Sequence, residues 1–136
     1  MPTRRRSWAE PWKVKMVEPI KMTTREFREQ ALEEALNYVK VREAFGKRIG
    51  DFQYNAFRLA DMATEIQAAR HLTYHAAWLK DQGRPFSTEA AMAKLFASEA
   101  ANRITDRASR VLGSYGFASE YPVERYYRDA KLTEIG

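Results

Sequence analysis

Apolar residues recur at the spacing of one helix face in three long stretches of the chain. The first stretch begins after Thr23 and Glu26, whose T-x-x-E spacing is that of a capping box, and it extends to about Glu43. The second begins near Asp51 and stops before Pro85, because proline cannot continue a helix. The apolar positions that predict these two helices are Phe27, Ala31, Leu32, Ala35, Leu36 and Val39, and then Phe52, Phe57, Leu59, Ala60, Ala63, Ile66, Ala69, Leu72, Ala76 and Leu79.

The third long stretch follows Ser87, which is predicted to cap its first turn, and the glycine-rich turn 113–116 ends it. A shorter helix is predicted over about 120–132, since Pro122 is tolerated in a first turn. No stretch alternates between apolar and polar residues with a period of two, so the chain is predicted to form no sheet. The apolar face of the third helix is Ala90, Ala91, Leu95, Phe96, Ala100, Ile104, Ala108, Val111 and Leu112.

The links between these helices are short, and short links make consecutive helices antiparallel neighbours. The sequence therefore predicts an all-α fold over residues 23–136: an up-and-down helical bundle of three long helices and a short C-terminal helix. Residues 1–22 contain three prolines and no sustained periodicity, so they are predicted to be an irregular, basic N-terminal segment.

Composition narrows the possible chemistry. The 136 residues suffice for one domain, and they include no cysteine, which excludes disulfides, cysteine-ligated zinc, iron–sulfur clusters and thiol nucleophiles. No apolar run is long enough to span a membrane, and no apolar stretch follows the arginine-rich start as a secretory signal requires. A cytoplasmic location is therefore expected.

Positive charge is concentrated at the N-terminus. Residues 1–22 hold six basic and two acidic residues, so they carry +4 of the net charge of +5. Such a segment can be a phosphate- or nucleic-acid-binding arm, or a solvated terminus. The second interpretation is favoured because no repeated basic face accompanies the charge, and Trp8 and Trp12 can pin the segment onto the domain's own surface.

Two histidines, His71 and His75, lie four residues apart on the second predicted helix. A metal centre needs further ligands, and neither H-E-x-x-H nor Glu-x-x-His is present. The pair is therefore interpreted as surface or interface histidines and not as a metal site. Serine-nucleophile and P-loop motifs are also absent, so a local search finds no complete catalytic site.

Two features remain that a bundle alone does not require. Arg42 and Phe45 flank a predicted helix end beside a glycine, and Gly113 opens a turn that contains two aromatic residues. An arginine fork suits a pyrophosphate, a glycine lets backbone N–H groups approach an anion, and an aromatic ring packs on adenine. Together these residues suit the ADP end of a dinucleotide cofactor; ordinary helix-end residues are the alternative interpretation.

The same residues belong to a run of motifs that resembles the acyl-CoA dehydrogenase family. The pattern R-x-x-F-G-K at 42–47 is followed at the family spacing by Ile49 and Gln53, and the motif order is kept from about Ala31 to the C-terminus. Residues 1–30 do not share the pattern. The other matching segments are ALEEA at 31–35, Tyr38, LADMA at 59–63, AAR at 68–70, AAMAKL at 90–95, EYPVER at 120–125 and RDA at 128–130.

The resemblance implies the helical C-terminal domain of an enzyme that binds FAD and oxidises an acyl-CoA thioester between Cα and Cβ. It implies a homo-oligomer, usually a tetramer, in which this domain reaches the ADP part of a flavin held mainly by a neighbouring subunit. No catalytic residue and no metal ligand are carried over. The cofactor-binding residues carried over to this chain are Arg42, Phe45, Gln53, Arg110 and Gly113.

Departures from the family pattern bear on activity. Ala44 stands where many members have threonine or serine, Arg110 where many have glutamine, and Ser114 where many have glycine. The family base commonly lies in a Tyr-Glu-Gly-Thr motif shortly after R-D-A-K; this sequence stops short of it, and Glu134 does not match it. The chain alone is therefore expected to be inactive, and a split enzyme completed by a partner chain that supplies the missing domains stays open as an alternative.

Two other functions stay open. A non-catalytic helical interaction module would keep the oligomer-forming surface and would show no flavin affinity. A nucleic-acid binder, the less favoured hypothesis, would use the basic residues 1–22 and would lose its affinity as salt is raised.

Overall fold

The computed structural model describes residues 22–136, and the predictions made for residues 1–21, including Trp8 and Trp12, lie outside the described residues. The predicted all-α fold is confirmed, with three long helices and helical C-terminal residues. The helices are α1 (Thr24–Val41), α2 (Gln53–Asp81), α3 (Ser87–Leu112), α4 (Val123–Ala130) and α5 (Leu132–Ile135), and single turns of 3₁₀ helix occupy Ile49–Asp51 and Gly113–Phe117.

The prediction that the chain forms no sheet is wrong at one place. Strands β1 (Glu43–Ala44) and β2 (Lys47–Arg48) pair antiparallel between α1 and α2. The two-residue loop between them has φ of 54° at Phe45 and 80° at Gly46, and tight hairpins need such positive φ values. The hairpin follows from this turn geometry. Its two-residue strands are too short to produce an alternating apolar and polar pattern, so the sequence analysis did not detect them.

The helix ends follow local chemistry in most cases. The predicted capping box is present, with the Glu26 N–H donating to Thr23 Oγ1 (3.3 Å) and the Thr23 N–H donating to Glu26 Oε2 (2.6 Å). Gly83, at φ of 63°, follows the end of α2 in the left-handed conformation that was predicted. Ser87 does not cap α3: Phe86 holds the N-cap position, and no side chain bonds the helix start there.

Two other boundaries differ from prediction. Helix α1 ends at Val41 instead of about Glu43, because Arg42 is extended and Glu43 pairs with Arg48 in the hairpin. The single short helix predicted over 120–132 is divided into α4 and α5. The carbonyl oxygen of Ala130 accepts hydrogen bonds from Thr133 Oγ1 (2.7 Å) and from Asn102 Nδ2 (3.1 Å), and these side-chain bonds mark the break.

Helix α3 lies at the centre of the packing, against both α1 and α2. Small residues line its contact with α1, so the two backbones approach closely, and Glu65 of α2 accepts hydrogen bonds from Arg103 and Arg107 of α3. Among residues 22–136 no helix combines the length and the apolar character needed to cross a membrane. The principal core comprises Ala31, Ala35, Val39, Leu59, Met62, Ile66, Ala100, Ile104, Ala108, Val111, Leu112 and Val123.

This packing brings separate parts of the chain to one end of the bundle. The end of α1, the hairpin, the start of α2 and the turn 113–117 meet there, and we refer to this region as the hairpin end. Gly50 packs on Val39, the Ile49 N–H donates to the carbonyl of Arg42 (2.9 Å), and Tyr38 contacts Tyr115 with a ring separation of 6.3 Å.

Candidate functional site

Arg42 connects the end of α1 to the turn that follows α3. Its backbone N–H donates to the carbonyl of Tyr38 (2.9 Å), which fixes the residue at the C-cap of α1. Its guanidinium lies over the ring of Tyr115, with Cζ 5.9 Å from the ring centre. Two features that sequence analysis considered separately, Arg42 and the turn that begins at Gly113, are therefore neighbours in the structure.

Three tyrosines surround this contact. The ring centres of Tyr38, Tyr115 and Tyr121 lie 5.5 to 6.3 Å apart, and these rings together with Arg42 line a surface pocket of about 420 Å³. Burial raises the pKa of the Tyr38 hydroxyl, and the nearby Arg42 charge only partly opposes this effect. Tyr38 is therefore neutral at physiological pH, and its hydroxyl can both donate and accept a hydrogen bond.

Phe45 presents an almost fully exposed ring at the tip of the hairpin. Its side chain is 98% exposed, and a bulky residue at φ of 54° is strained by about 1–2 kcal/mol. The ring meets Phe52 edge to face at 6.3 Å, and Lys47 Nζ lies 4.2 Å from the centre of the Phe52 ring. Gln53 comes directly after Phe52 as the first residue of α2, and it is exposed.

Arg110 lies in the last turn of α3 and is exposed. Its Nε donates to Asp106 Oδ2 at 2.8 Å, and this bond raises the pKa of Arg110. Electrostatic interactions with Tyr54 on α2 and Tyr127 on α4 also raise the pKa of Arg110. Within the part of the chain that the structure describes, no direct contact joins Arg110 to Arg42, Phe45 or Gln53.

The two glycines of the turn have different roles. Gly113 has φ of 62°, and a Cβ atom there would meet nothing within 4 Å, so its backbone faces open space. A Cβ atom on Gly116 would lie 2.4 Å from the carbonyl oxygen of Ser109, which makes Gly116 a packing requirement. Gly113 is therefore the glycine whose backbone an anion can approach.

The predicted residues carry the chemical groups that the ADP half of FAD requires. Arg42 and Arg110 carry guanidinium groups of the kind that bind a pyrophosphate, Phe45 has an exposed ring of the kind that packs on adenine, and Gly113 has open backbone. Gln53 adds a solvent-facing amide. The carboxylate of Glu134 in α5 pairs with Lys131.

The histidines lie away from this site. His75 stacks on Trp78 with ring centres 6.2 Å apart, and Arg84 lies over the same indole, with Cζ 5.7 Å from the ring centre. Among residues 22–136 no three His, Asp or Glu side chains lie close enough together to hold a metal ion.

Sequence analysis gave no site role to Tyr38, Phe52 or Tyr121. Tyr38 lies four residues before Arg42 on α1, and this spacing identifies it as a neighbour. Phe52 was included only among apolar helix positions, and Tyr121 only as part of a motif. Their convergence depends on how α1, the hairpin and the turn after α3 meet, and no local pattern contains that information.

Comparison with known proteins agrees with this architecture. Residues 22–136 match the family described as acyl-CoA dehydrogenase, C-terminal domain. The chain is 55% identical over 106 residues to the probable acyl-CoA dehydrogenase YngJ of Bacillus subtilis, and 56% identical over 106 residues to the benzylmalonyl-CoA dehydrogenase of Aromatoleum aromaticum. Each match covers 78% of this chain and 28% of the relative, so the chain spans little more than a quarter of their length.

The solved structures extend the agreement to three dimensions. Butyryl-CoA dehydrogenase from Megasphaera elsdenii superimposes with a TM-score of 0.80 at 47% identity, over 82% of this chain and 29% of that one. The motif order, the helical fold and these matches point to the same conclusion. The chain belongs to the acyl-CoA dehydrogenase family and comprises its C-terminal helical domain.

Proposed function

We propose that this chain contributes the ADP-binding edge of an FAD site to an acyl-CoA dehydrogenase, an oxidoreductase that acts on the CH–CH bond of acyl-CoA thioesters. The observation that carries the proposal is the position of Arg42, which is held over Tyr115 at the same end of the bundle as the exposed ring of Phe45. The two relatives named above are called dehydrogenases of acyl-CoA compounds, which supports the reaction class.

Each residue has a distinct part in this proposal. Arg42 and Arg110 bind the pyrophosphate through charge-assisted hydrogen bonds, and Gly113 lets the backbone approach it. Phe45 packs on the adenine, and Gln53 donates or accepts a hydrogen bond at its edge. The tyrosines 38, 115 and 121 hold the Arg42 guanidinium in place by packing around it.

The chemical step needs groups that these residues do not supply. FAD, when bound, accepts the hydride that leaves the Cβ atom of the acyl group. The residues described here bind and orient the cofactor, and we propose no base among them. We therefore expect the chain alone to be inactive, and a partner chain carrying the remaining domains to restore oxidation of acyl-CoA.

The direct test is a titration of the full chain with FAD, followed by flavin fluorescence. Arg42→Ala should weaken binding at least about tenfold, because a charged hydrogen-bonding group at a phosphate is lost. Arg84→Ala is the matched control: Arg84 also lies over an aromatic ring, at 5.7 Å from Trp78, but it follows the far end of α2. Equal weakening by both substitutions, or saturable binding that neither one affects, would count against the hairpin end as the site.

A second candidate function is a helical interaction module. Large apolar side chains are exposed on α2 and α3, including Phe57 at 60%, Leu95 at 59% and Met92 at 55%. These side chains favour association with further copies of the chain in the cytoplasm. Sedimentation of the full chain distinguishes the two functions: a stable oligomer with no FAD affinity supports the module, whereas FAD affinity that Arg42→Ala removes supports the cofactor edge.

A further inference from the structure

Asn55 joins the first turn of α2 to the turn that follows the hairpin. Its Nδ2 donates to the carbonyl oxygen of Ile49 at 2.8 Å, and the residue is half-buried. Only the Nδ2 group of an amide side chain can bond a carbonyl oxygen, so this contact fixes the orientation of the amide. The same oxygen accepts the Phe52 N–H at a longer 3.3 Å, and no side chain caps α2 at Phe52. The Asn55 bond is therefore the shorter of the two bonds that hold Ile49 to the start of α2.

Ile49 carries this connection on to Arg42. Its backbone N–H donates to the Arg42 carbonyl oxygen at 2.9 Å, and the Arg42 N–H donates in turn to the Tyr38 carbonyl oxygen at 2.9 Å. The Ile49 side chain packs against the principal core. A continuous series of hydrogen bonds thus runs from the side chain of Asn55 on α2, through Ile49, to the backbone of Arg42 at the end of α1.

These bonds close the base of the hairpin. The Ile49–Arg42 bond lies directly beyond the pairing of β1 with β2. Beside it, Gly50 approaches α1 so closely that a Cβ atom there would lie 3.1 Å from the Val39 carbonyl oxygen. The ring of Phe45 lies at the opposite, exposed tip. The positions of Arg42 and Phe45 relative to the bundle therefore depend on the base of the hairpin.

We infer that Asn55 is a positioning residue for the cofactor edge, because it holds the base of the hairpin where Arg42 and Phe45 can both reach the ADP half of FAD. It acts through the backbone of Ile49 and not by contact with the cofactor. Without its bond the hairpin samples more positions, and binding then has to order it. The effect on affinity rests on the proposed function, whereas the anchoring of the hairpin is a property of the chain alone.

Hydrogen exchange of the full chain tests the anchoring without any cofactor. In Asn55→Ala the Ile49 N–H should exchange at least about fivefold faster than in wild type, because its hydrogen bond opens more often. The N–H of Ile104, in the core of α3, should exchange at its wild-type rate. Thr64→Ala is the matched control: Thr64 also donates to a carbonyl oxygen at 2.8 Å, that of Ala60, but this bond lies wholly within α2.

Two results of the exchange experiment would overturn the inference. One is an Ile49 N–H whose exchange is unchanged in Asn55→Ala, since the hairpin would then be anchored without the amide. The other is equal acceleration at Ile49 and Ile104, or in Asn55→Ala and Thr64→Ala, because the loss would then be one of general stability.

The effect on the cofactor is measured by titrating the same variants with FAD. Asn55→Ala should weaken binding about threefold to tenfold, and Thr64→Ala should bind like wild type. Wild-type affinity in Asn55→Ala, together with weakened binding in Arg42→Ala, would overturn the positioning role. If wild type itself binds no FAD, the proposed function fails, and the exchange of Ile49 alone decides whether Asn55 anchors the hairpin.

Asn55→Asp separates the loss of the donor from the loss of the side chain. A carboxylate keeps the shape of the amide but cannot donate to the Ile49 carbonyl oxygen, so at neutral pH exchange and FAD binding should be impaired at least as much as in Asn55→Ala. Protonation restores an O–H donor. Both properties, compared with wild type at each pH, should therefore recover as the pH falls through the pKa of the introduced carboxyl, and Asn55→Ala should show no recovery. Recovery of FAD binding without recovery of protection at Ile49 would assign the effect to charge repulsion and would contradict the positioning role.

Discussion

The guanidinium of Arg42 lies 5.9 Å above the ring centre of Tyr115, and this contact joins the end of the first long helix to the turn after the third. The two residues are 73 positions apart in the sequence. The contact depends on the packing of α1 against α3, so the geometry of the candidate site is coupled to the stability of the bundle. Damage to that packing should disturb cofactor binding even when no site residue is changed.

The Arg42–Tyr115 contact can be tested through the ring. Tyr115→Ala should weaken FAD binding by a few-fold, since a cation–π contact contributes about 0.5–1 kcal/mol at an exposed site. Tyr115→Phe keeps the ring and should bind like wild type. A titration followed by flavin fluorescence separates the variants; equal weakening in both would show that the hydroxyl, and not the ring, positions Arg42.

Alanine at either glycine of the turn should destabilise the chain, for a different reason at each position. Gly116→Ala places a Cβ atom 2.4 Å from the Ser109 carbonyl oxygen, so it should lower the free energy of unfolding by about 1–3 kcal/mol or more. Gly113→Ala meets no neighbouring atom, but φ of 62° with ψ of −132° lies outside the left-handed helical region and is nearly restricted to glycine, so this variant should cost about 1–3 kcal/mol of backbone strain. Denaturant unfolding measures both, and a Gly116→Ala variant as stable as wild type would contradict the observed packing.

The start of α1 makes a pH-dependent contribution to stability. Hydrogen bonds from the Thr23 backbone and side chain lower the pKa of Glu26 from its ordinary value of 4.5. Because the pKa is lowered in the folded state, the stabilisation is complete above the ordinary value and is lost as the pH falls through the folded-state pKa. Glu26→Gln should therefore be less stable than wild type at neutral pH, and this difference should disappear on acidification.

Thr23→Ala should likewise shorten or fray α1, because the helix loses its N-cap acceptor. Ser87→Ala is the matched control, since Ser87 lies inside α3 and makes no capping bond. Circular dichroism and thermal unfolding compare the two variants. If Ser87→Ala destabilises the chain as much as Thr23→Ala does, the observed start of α3 is wrong.

Phe45 combines backbone strain with an exposed ring. Asparagine tolerates a positive φ, so Phe45→Asn should leave the free energy of unfolding unchanged or raise it by up to about 1 kcal/mol. The same substitution should weaken FAD binding, because the ring proposed to pack on adenine is removed. A loss of stability beyond about 1 kcal/mol would show instead that the contact with Phe52 holds the hairpin together.

Sequence reasoning succeeded where local chemistry determines the outcome. The capping box at Thr23 and Glu26, the left-handed Gly83 and the apolar face of α1 all depend on residues within a few positions of one another. The apolar faces predicted for α2 and α3 were wrong at some positions, since the side chains of Phe57 and Leu95 are 60% and 59% exposed. Helix boundaries were less accurate, because a C-cap or N-cap position can shift by two or three residues without changing the apolar face.

The remaining features depend on long-range packing or on exceptions to residue preferences. A hairpin with phenylalanine at positive φ is rare, and its strands are too short to be recognised by alternation. The tyrosines around Arg42 converge only in the folded chain. Arg28 would be expected at the surface, because arginine is seldom fully buried, and only the structure shows it beneath α3.

The most direct test of the central proposal divides the cofactor into its halves. The full chain is titrated separately with ADP and with FMN, and backbone and side-chain N–H signals are followed by NMR. We predict that ADP shifts the signals of Arg42, Phe45 and Gly113, that these shifts diminish in Arg42→Ala, and that FMN at the same concentration causes little change there. Signals at the hairpin end that do not respond to ADP, or that respond equally to FMN, would contradict the assignment of this end of the bundle to the ADP half of FAD.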